Sequence, residues 1–195
     1  MAILYRRLFP TAEIHCFEPI LESFIRLTQA AADDAGIVVN QLAVSDVTGP
    51  VQLYVNRFGA TNSRLRPSVS AGEFVPSELL DTVGTERADS TTIDDYCLEH
   101  GLDRVDILKL DIQGGELEAL LGADRMLAGH RIALVYTELL VAPIYEGQGR
   151  AGDVLGALEQ HDYRLYGLYN LVYGHNSSLY QMDALFVSPE LEVRG

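Results

Sequence analysis

The chain has 195 residues, 48% apolar and 22% charged, the balance of a single globular domain (residues 1–195) able to bury its own core. Its 28 acidic and 14 basic residues give a net charge of -14 and a pI near 4.6, which argues against nucleic acid or an anionic membrane as partner and favours a neutral or cationic small molecule. No window approaches the ~18 consecutive apolar residues of a membrane span, and MAILYRRLFP carries its arginines after its apolar residues, unlike a signal peptide, so a cytoplasmic protein is expected. Cys16 and Cys97 each lie inside an apolar pattern and read as small core residues, not as a disulfide framework.

Strand-type and helix-type segments alternate from the start, which predicts an α/β fold with a mainly parallel sheet. Residues 12–17 (AEIHCF) are β-leaning, and apolar residues at near-helical spacing predict a helix over 20–32. Residues 36–44 predict a second strand, and 48–56 an edge strand after a Gly-Pro turn. Residues 57–90 have no steady period and hold Gly, Pro, Ser and Asn; they predict an extended loop with at most one helical turn, a functional lid that selects the acceptor. Further on, 105–111 and 131–139 are near-continuous apolar runs, as parallel strands covered on both faces require, and 115–127 between them is an amphipathic helix. A helix over about 151–161 follows, then two strands flanking the turn residues GHNSS, a closing antiparallel hairpin.

Chemistry is expected where strands end. Glu18 follows an apolar strand directly and precedes Pro19, which places its carboxylate at the carboxyl edge of the sheet, where ligands of α/β folds bind. There it can accept from a ribose diol; it can equally cap the next helix. In ILKLDIQGGELEALLGA the period of two puts Ile107, Lys109 and Asp111 on one face and Leu108 and Leu110 on the other. A lysine in such a run needs an anion, and Asp111 and Glu138 are its natural partners, either as a structural ion pair or as a cluster in which a carboxylate deprotonates a hydroxyl. Glu116 reads as a first-turn acid of its helix, and Gly114 and Gly115 as a sharp turn. GQGRAG (147–152) matches a dinucleotide-binding pattern in form only, because no strand immediately precedes it and no acid ends a strand about twenty residues on; a loop is the better reading, and a dehydrogenase is not expected. The five histidines, His15, His100, His130, His161 and His175, make no metal-ligand spacing, and no serine sits in a nucleophile elbow.

Taken together, HCFEP (15–19), QLAVSD (41–46), TTIDDY (91–96), ILKLDIQGGELEALLGA (107–123), LVYTEL (134–139) and DALFV (183–187) resemble the FkbM family of methyltransferases in order and spacing. The resemblance implies the class I methyltransferase fold, Rossmann-like, with a C-terminal antiparallel hairpin, and S-adenosylmethionine-dependent methyl transfer to a hydroxyl of a small molecule or sugar. By position, Glu18 would hold the ribose hydroxyls, Ala43 and Val44 would flank the adenine, and Asp111 would lie near the cofactor's methionine end and the acceptor. Lys109 and Glu138 would build the floor. Such enzymes begin with a strand ending in a D-x-G-x-x-x-G-like loop. MAILYRRLFP resembles the helix after that loop, so the first strand is expected to be missing, leaving an unfilled sheet centre that favours homo-oligomerisation. A non-catalytic or truncated methyltransferase-like binding protein is the alternative.

Overall fold

The computed structural model describes residues 2–191. Helix α1 (Ala2–Leu8) leads into strand β1 (Ile14–Phe17), helix α2 (Leu21–Ala31) and strand β2 (Ile37–Asn40), so the opening alternation is as expected. β1 and β2 pair in parallel from Ile14↔Ile37 to Phe17↔Asn40. The strand expected over 36–44 divides here. Asn40 ends the first ladder by donating its side-chain amide to the Cys16 carbonyl at 3.1 Å, and after residues 41–42 the chain changes partner as β3 (Ala43–Val44).

That new partner corrects the expected loop. Residues 82–91 form a ten-residue strand, β5 (Thr82–Thr91), antiparallel to β4 (Gly49–Asn56) and parallel to β3. Its sequence TVGTERADST lacks apolar alternation because most of it is exposed and only Ser90 and Thr91 are buried. Between β4 and β5 lie three short 3-10 turns, at Gly59–Thr61, Ala71–Glu73 and Ser77–Leu79, where one turn at most was expected.

Helix α3 (Ile93–Glu99) starts on Thr92, whose hydroxyl accepts from the Asp95 amide at 2.9 Å. Strand β6 (Val105–Leu110) follows, then α4 (Glu116–Leu121) and α5 (Asp124–Ala128), two helices where one was expected over 115–127. Two contacts from distant sequence cause the break. The Asp94 carboxylate accepts from the Arg125 and Met126 amides at 2.8 and 3.0 Å, capping a fresh helix start. At Gly122 the chain lies so close to the Ser45 carbonyl oxygen that a Cβ would collide with it.

The remaining elements are β7 (Ile132–Leu140), α6 (Ala151–Glu159), β8 (Arg164–Tyr173) and β9 (Leu179–Val187), the last two forming the expected hairpin. Hydrogen-bonded strand orders are β1-β2, β3-β5-β4 and β6-β7-β9-β8. β1–β2, β3–β5 and β6–β7 are parallel; β4–β5, β7–β9 and β8–β9 are antiparallel, so the fold is mixed α/β rather than built on one mainly parallel sheet. The main core packs Leu110, Val135, Leu139, Ala184 and Phe186 of β6, β7 and β9 under Leu120, Leu127, Val154 and Leu158 of α4, α5 and α6. Each of the buried Val, Leu and Phe side chains contributes on the order of 1.5–3 kcal/mol. A smaller cluster of Ala71, Val75, Leu80, Leu140, Ile144 and Tyr145 anchors the 57–90 segment. Cys97 lies in the core, Cys16 is half-buried, and both are free. No helix among the described residues is long and apolar enough to cross a membrane.

The Gly122–Ser45 approach gives the first prediction. Gly122→Ala should lower the unfolding free energy by about 1–3 kcal/mol, read as a shifted urea midpoint, because the two nearest atoms belong to the Ser45 backbone, which cannot rotate away. An unchanged midpoint would show that the two segments separate freely.

Candidate functional site

The carboxyl ends of β1, β3 and β6 meet at one cleft of roughly 290 Å³, which is lined by Glu18, Ala43, Val44 and Asp111. The size sits at the lower bound of small-ligand sites, about 300 Å³. Phe17, Ile20, Leu42 and Ile112 add apolar wall, and Gly59, Ala60, Asn62, Ser63 and Arg64 close one side. The 57–90 segment therefore reaches the site, as expected of it. A second depression of about 330 Å³ between α3 and α5 contains none of the expected site residues, and its Arg125 is already paired with Asp94 at 3.3 Å.

Glu18 does not cap α2, whose N-cap is Ile20 without a side-chain cap; it closes the turn before the helix and keeps one oxygen free of protein partners among the described residues. Its Oε1 accepts from the Ile20 amide at 2.9 Å at the start of α2, while its other oxygen has no protein hydrogen bond among the described residues. Burial raises its pKa, and the Ile20 hydrogen bond and Arg26 oppose that rise.

Lys109 and Asp111 are on the face opposite the core, as the period of two requires, and they pair directly: Lys109 Nζ donates to Asp111 Oδ2 at 2.7 Å. Glu138 is not part of that pair. It is buried and does not line the cleft, and neither does Lys109. Glu138 instead accepts from Gln181 Nε2 at 2.5 Å and from Gln113 Nε2 at 3.3 Å. Four of the six expected site positions thus share the cleft and two lie beneath it.

Gln113 connects the two levels, and sequence reasoning passed over it. Its Nε2 also donates to Asp111 Oδ1 at 3.2 Å, its Oε1 accepts from the Tyr145 hydroxyl at 2.9 Å, and its carbonyl accepts from Ser63 Oγ at 2.6 Å. The residue adopts φ 56, a left-handed conformation that costs a non-glycine residue on the order of 1 kcal/mol and persists here under four hydrogen bonds. Gly114 follows at φ 93 against the Tyr145 ring, so the expected sharp turn is real. Glu116, as expected, is structural: its carboxylate folds back to accept from the Ile112 amide at 2.9 Å and closes that turn. Arg64, also missed, joins the cleft wall to α4 through Glu118 at 2.9 Å and to Ser45 Oγ. The only sequence signal for Gln113 was its place inside the ILKLDIQGGE stretch; nothing marked Arg64. Residues 147–150 form a loop, 151 and 152 open α6, and all of them stay outside the cleft.

Glu138 is the most perturbed acid of the group. Burial pushes its pKa up to about 8, the negative Glu116, Asp111 and Asp183 add to the rise, and Lys109 opposes it. Glu116 rises to about 7, chiefly through burial. A raised acid binds more protons folded than unfolded, so its contribution is fully present below the unfolded value of 4.5 and is lost as pH climbs through 8. Glu138→Gln removes that loss. Relative to the parent it should gain on the order of 3 kcal/mol between pH 5 and pH 8 in denaturant titrations, and a pH-independent difference would mean that Glu138 is ionised in the folded protein.

The chain is similar to 2-O-methyltransferase NoeI of Sinorhizobium fredii (strain NBRC 101917 / NGR234), with 24% identity over 151 residues, 74% of this chain and 60% of that protein. It is also similar in fold to a crystal structure of methyltransferase FkbM from Methylobacillus flagellatus KT, with a TM-score of 0.48 and 19% identity, covering 89% of this chain and 36% of that one. The chain therefore spans 60% of the length of the first and 36% of the second. The Methyltransferase FkbM domain matches residues 2–165, most of the chain and all the cleft-lining residues above, and the chain belongs to the FkbM methyltransferase family.

Proposed function

We propose that this chain is part of an S-adenosylmethionine-dependent O-methyltransferase acting on a hydroxyl of a small molecule or sugar. The observation that carries the reading is the convergence of Glu18, Ala43, Val44 and Asp111 on one cleft at the carboxyl ends of three strands. Membership of a methyltransferase family and similarity to a protein named as a 2-O-methyltransferase support it. In the same reading, β1–β2 and β6–β7–β9–β8 would be two parts of one class I sheet: among the described residues β1 pairs only with β2 and β6 only with β7, which leaves an edge on each for a central strand.

The cleft residues fit the cofactor. Glu18 has one carboxylate oxygen with no protein partner among the described residues that would accept from a ribose diol, apolar Phe17, Leu42, Val44 and Ile112 would suit a purine, and the Asp111 carboxylate would attract a sulfonium. When bound, S-adenosylmethionine supplies an electrophilic methyl group. The chain's own part is to hold and align. Lys109 and Gln113 fix the two Asp111 oxygens, so the carboxylate stands ready to orient an acceptor hydroxyl and take its proton. Glu138, with its proton retained near neutral pH, supports Gln113 without adding a second charge beside Asp111. Gly59, Ala60, Asn62, Ser63 and Arg64, which close one side of the cleft, would face the acceptor. The two free cysteines suit a reducing cytoplasm.

A binding protein without catalysis is the second reading, favoured by one observation: the Glu18–Ile20 hydrogen bond and the Lys109–Asp111 pair also hold the fold by themselves. Calorimetric titration with S-adenosylmethionine separates affinity from stability. Saturable binding is expected, and Glu18→Gln, which leaves an oxygen to accept from Ile20, should weaken it at least about tenfold, ~1.4 kcal/mol, with the melting temperature nearly unchanged. Absence of saturable binding, or an affinity untouched by this substitution, would sink the assignment.

A further inference from the structure

We infer that Asn62 and Arg64 set the acceptor specificity of the cleft by holding the oxygens of a neutral vicinal diol, one hydroxyl of which Asp111 orients. The inference deepens the proposed function and rests on that reading of the cleft. Ser63 forms a bridge with Tyr54, so the chain at 62–64 runs strand-like, and the period of two puts Asn62 and Arg64 on one side. Both line the cleft. Ser63 pins the stretch between them: its backbone exchanges hydrogen bonds with Tyr54 at 2.8 and 3.2 Å, and its hydroxyl is spent on the Gln113 carbonyl.

Each of the two side chains is tied down at one end and keeps donors at the other. The Asn56 backbone amide can only donate, so Asn62 must present Oδ1 to it, at 2.8 Å, and Nδ2 takes the other side, beside Gly59. Nδ2 has no hydrogen-bond partner among the described residues. Arg64 Nη1 places its N–H groups on Ser45 Oγ and on Glu118 Oε2, the latter at 2.9 Å. Nε and Nη2 keep theirs, again with no partner among the described residues, and that edge of a guanidinium donates side by side to two adjacent oxygens. The Arg64 side chain is only 22% exposed, so these donors meet the contents of the cleft more than open solvent.

Charge decides what kind of oxygen these donors take. Arg64 is the only cation among the described residues lining the cleft, and Glu118 already pairs with it; Lys109, beneath, is likewise taken by Asp111. Glu18 and Asp111 add two acids to the same lining. A carboxylate or phosphate on the acceptor would therefore enter without a free cation and against those acids, whereas hydroxyl oxygens accept from Asn62 and Arg64 without that cost. A vicinal diol, as on a sugar ring or another polyol, matches the arrangement: one hydroxyl donates to Asp111 and its neighbour accepts from Asn62 and Arg64. Because Asn56 and Glu118 hold the two side chains from behind, the donors are in place before the acceptor arrives.

Saturation-transfer difference NMR tests this with methyl glycosides of neutral hexoses, their deoxy counterparts lacking one hydroxyl of the diol, and glucuronate, each titrated with and without S-adenosylhomocysteine. The parent should bind the glycosides, and should bind both the deoxy compounds and glucuronate at least about tenfold more weakly. Arg64→Lys keeps a cation for Glu118 but loses the paired donors, and Asn62→Ala removes Nδ2. Each should weaken glycoside binding at least about tenfold and erase the preference over the deoxy counterpart, which a loss of packing alone would not do, while calorimetric affinity for S-adenosylmethionine is retained. If one variant fails to fold, the other decides. No glycoside binding by the parent, tighter binding of glucuronate, or a diol preference that survives in the folded variants would overturn the inference. A parent that binds glycosides as described but not S-adenosylmethionine would overturn the methyltransferase reading while upholding Asn62 and Arg64 as the pair that holds the diol.

Discussion

Everything around the cleft depends on one side-chain amide placed between two carboxylates. Gln113 Nε2 donates at once toward Asp111 and Glu138, and Tyr145 fixes the orientation of that amide by donating to its oxygen. Two acids sharing one amide would repel if both were ionised. Lys109 relieves the repulsion on the Asp111 side, and on the other side burial leaves Glu138 with its proton near neutral pH. The left-handed backbone at Gln113, the glycine after it and the Glu116 carboxylate folded onto Ile112 shape the turn that holds the amide there. Through Ser63 the same turn holds the 57–90 segment against the end of β6.

A second set of constraints holds the opposite wall. The β3 end, the start of α3 and the α4–α5 break converge where Gly122 abuts Ser45 and where Arg64 reaches both Ser45 and Glu118. The TTIDD segment serves here as a double cap, with Thr92 starting α3 and Asp94 starting α5. Asp95, next to it, accepts from the Thr48 hydroxyl at 2.8 Å, which ties in the approach to β4. Packing of α4, α5 and α6 on the sheet supplies most of the apolar burial, and these caps decide which strand ends that packing brings together.

Strand ends and their acids were legible because their signals are local. An apolar run that stops at Glu18 or Asp111 shows where a strand ends and which residue is left at its edge. β5 was hidden because both its faces are largely exposed, so no apolar alternation marks it; its pairing with β4 is specified by the ladder and not by its own pattern. The split of 115–127 was hidden for a related reason: nothing inside ELEALLGADRMLA shows that Ser45 and Asp94 arrive from elsewhere. Gln113 has an ordinary sequence neighbourhood, and its importance comes from Glu138 and Tyr145, which lie 25 and 32 positions away. Lys109 was read correctly as needing an anion, but which acid it takes is a matter of reach: Asp111 is on its own strand's face, while Glu138 is turned toward Gln181 on β9.

The placement of charge links these parts. The chain is strongly acidic, yet beneath the cleft burial suppresses ionisation of Glu138, and Glu116, pushed to about 7, is only partly ionised near neutral pH. Asp111, half-exposed beside Lys109, remains the carboxylate of that group presented to the cleft. A single oriented negative charge attracts a cationic ligand group without the cost of holding several buried anions together.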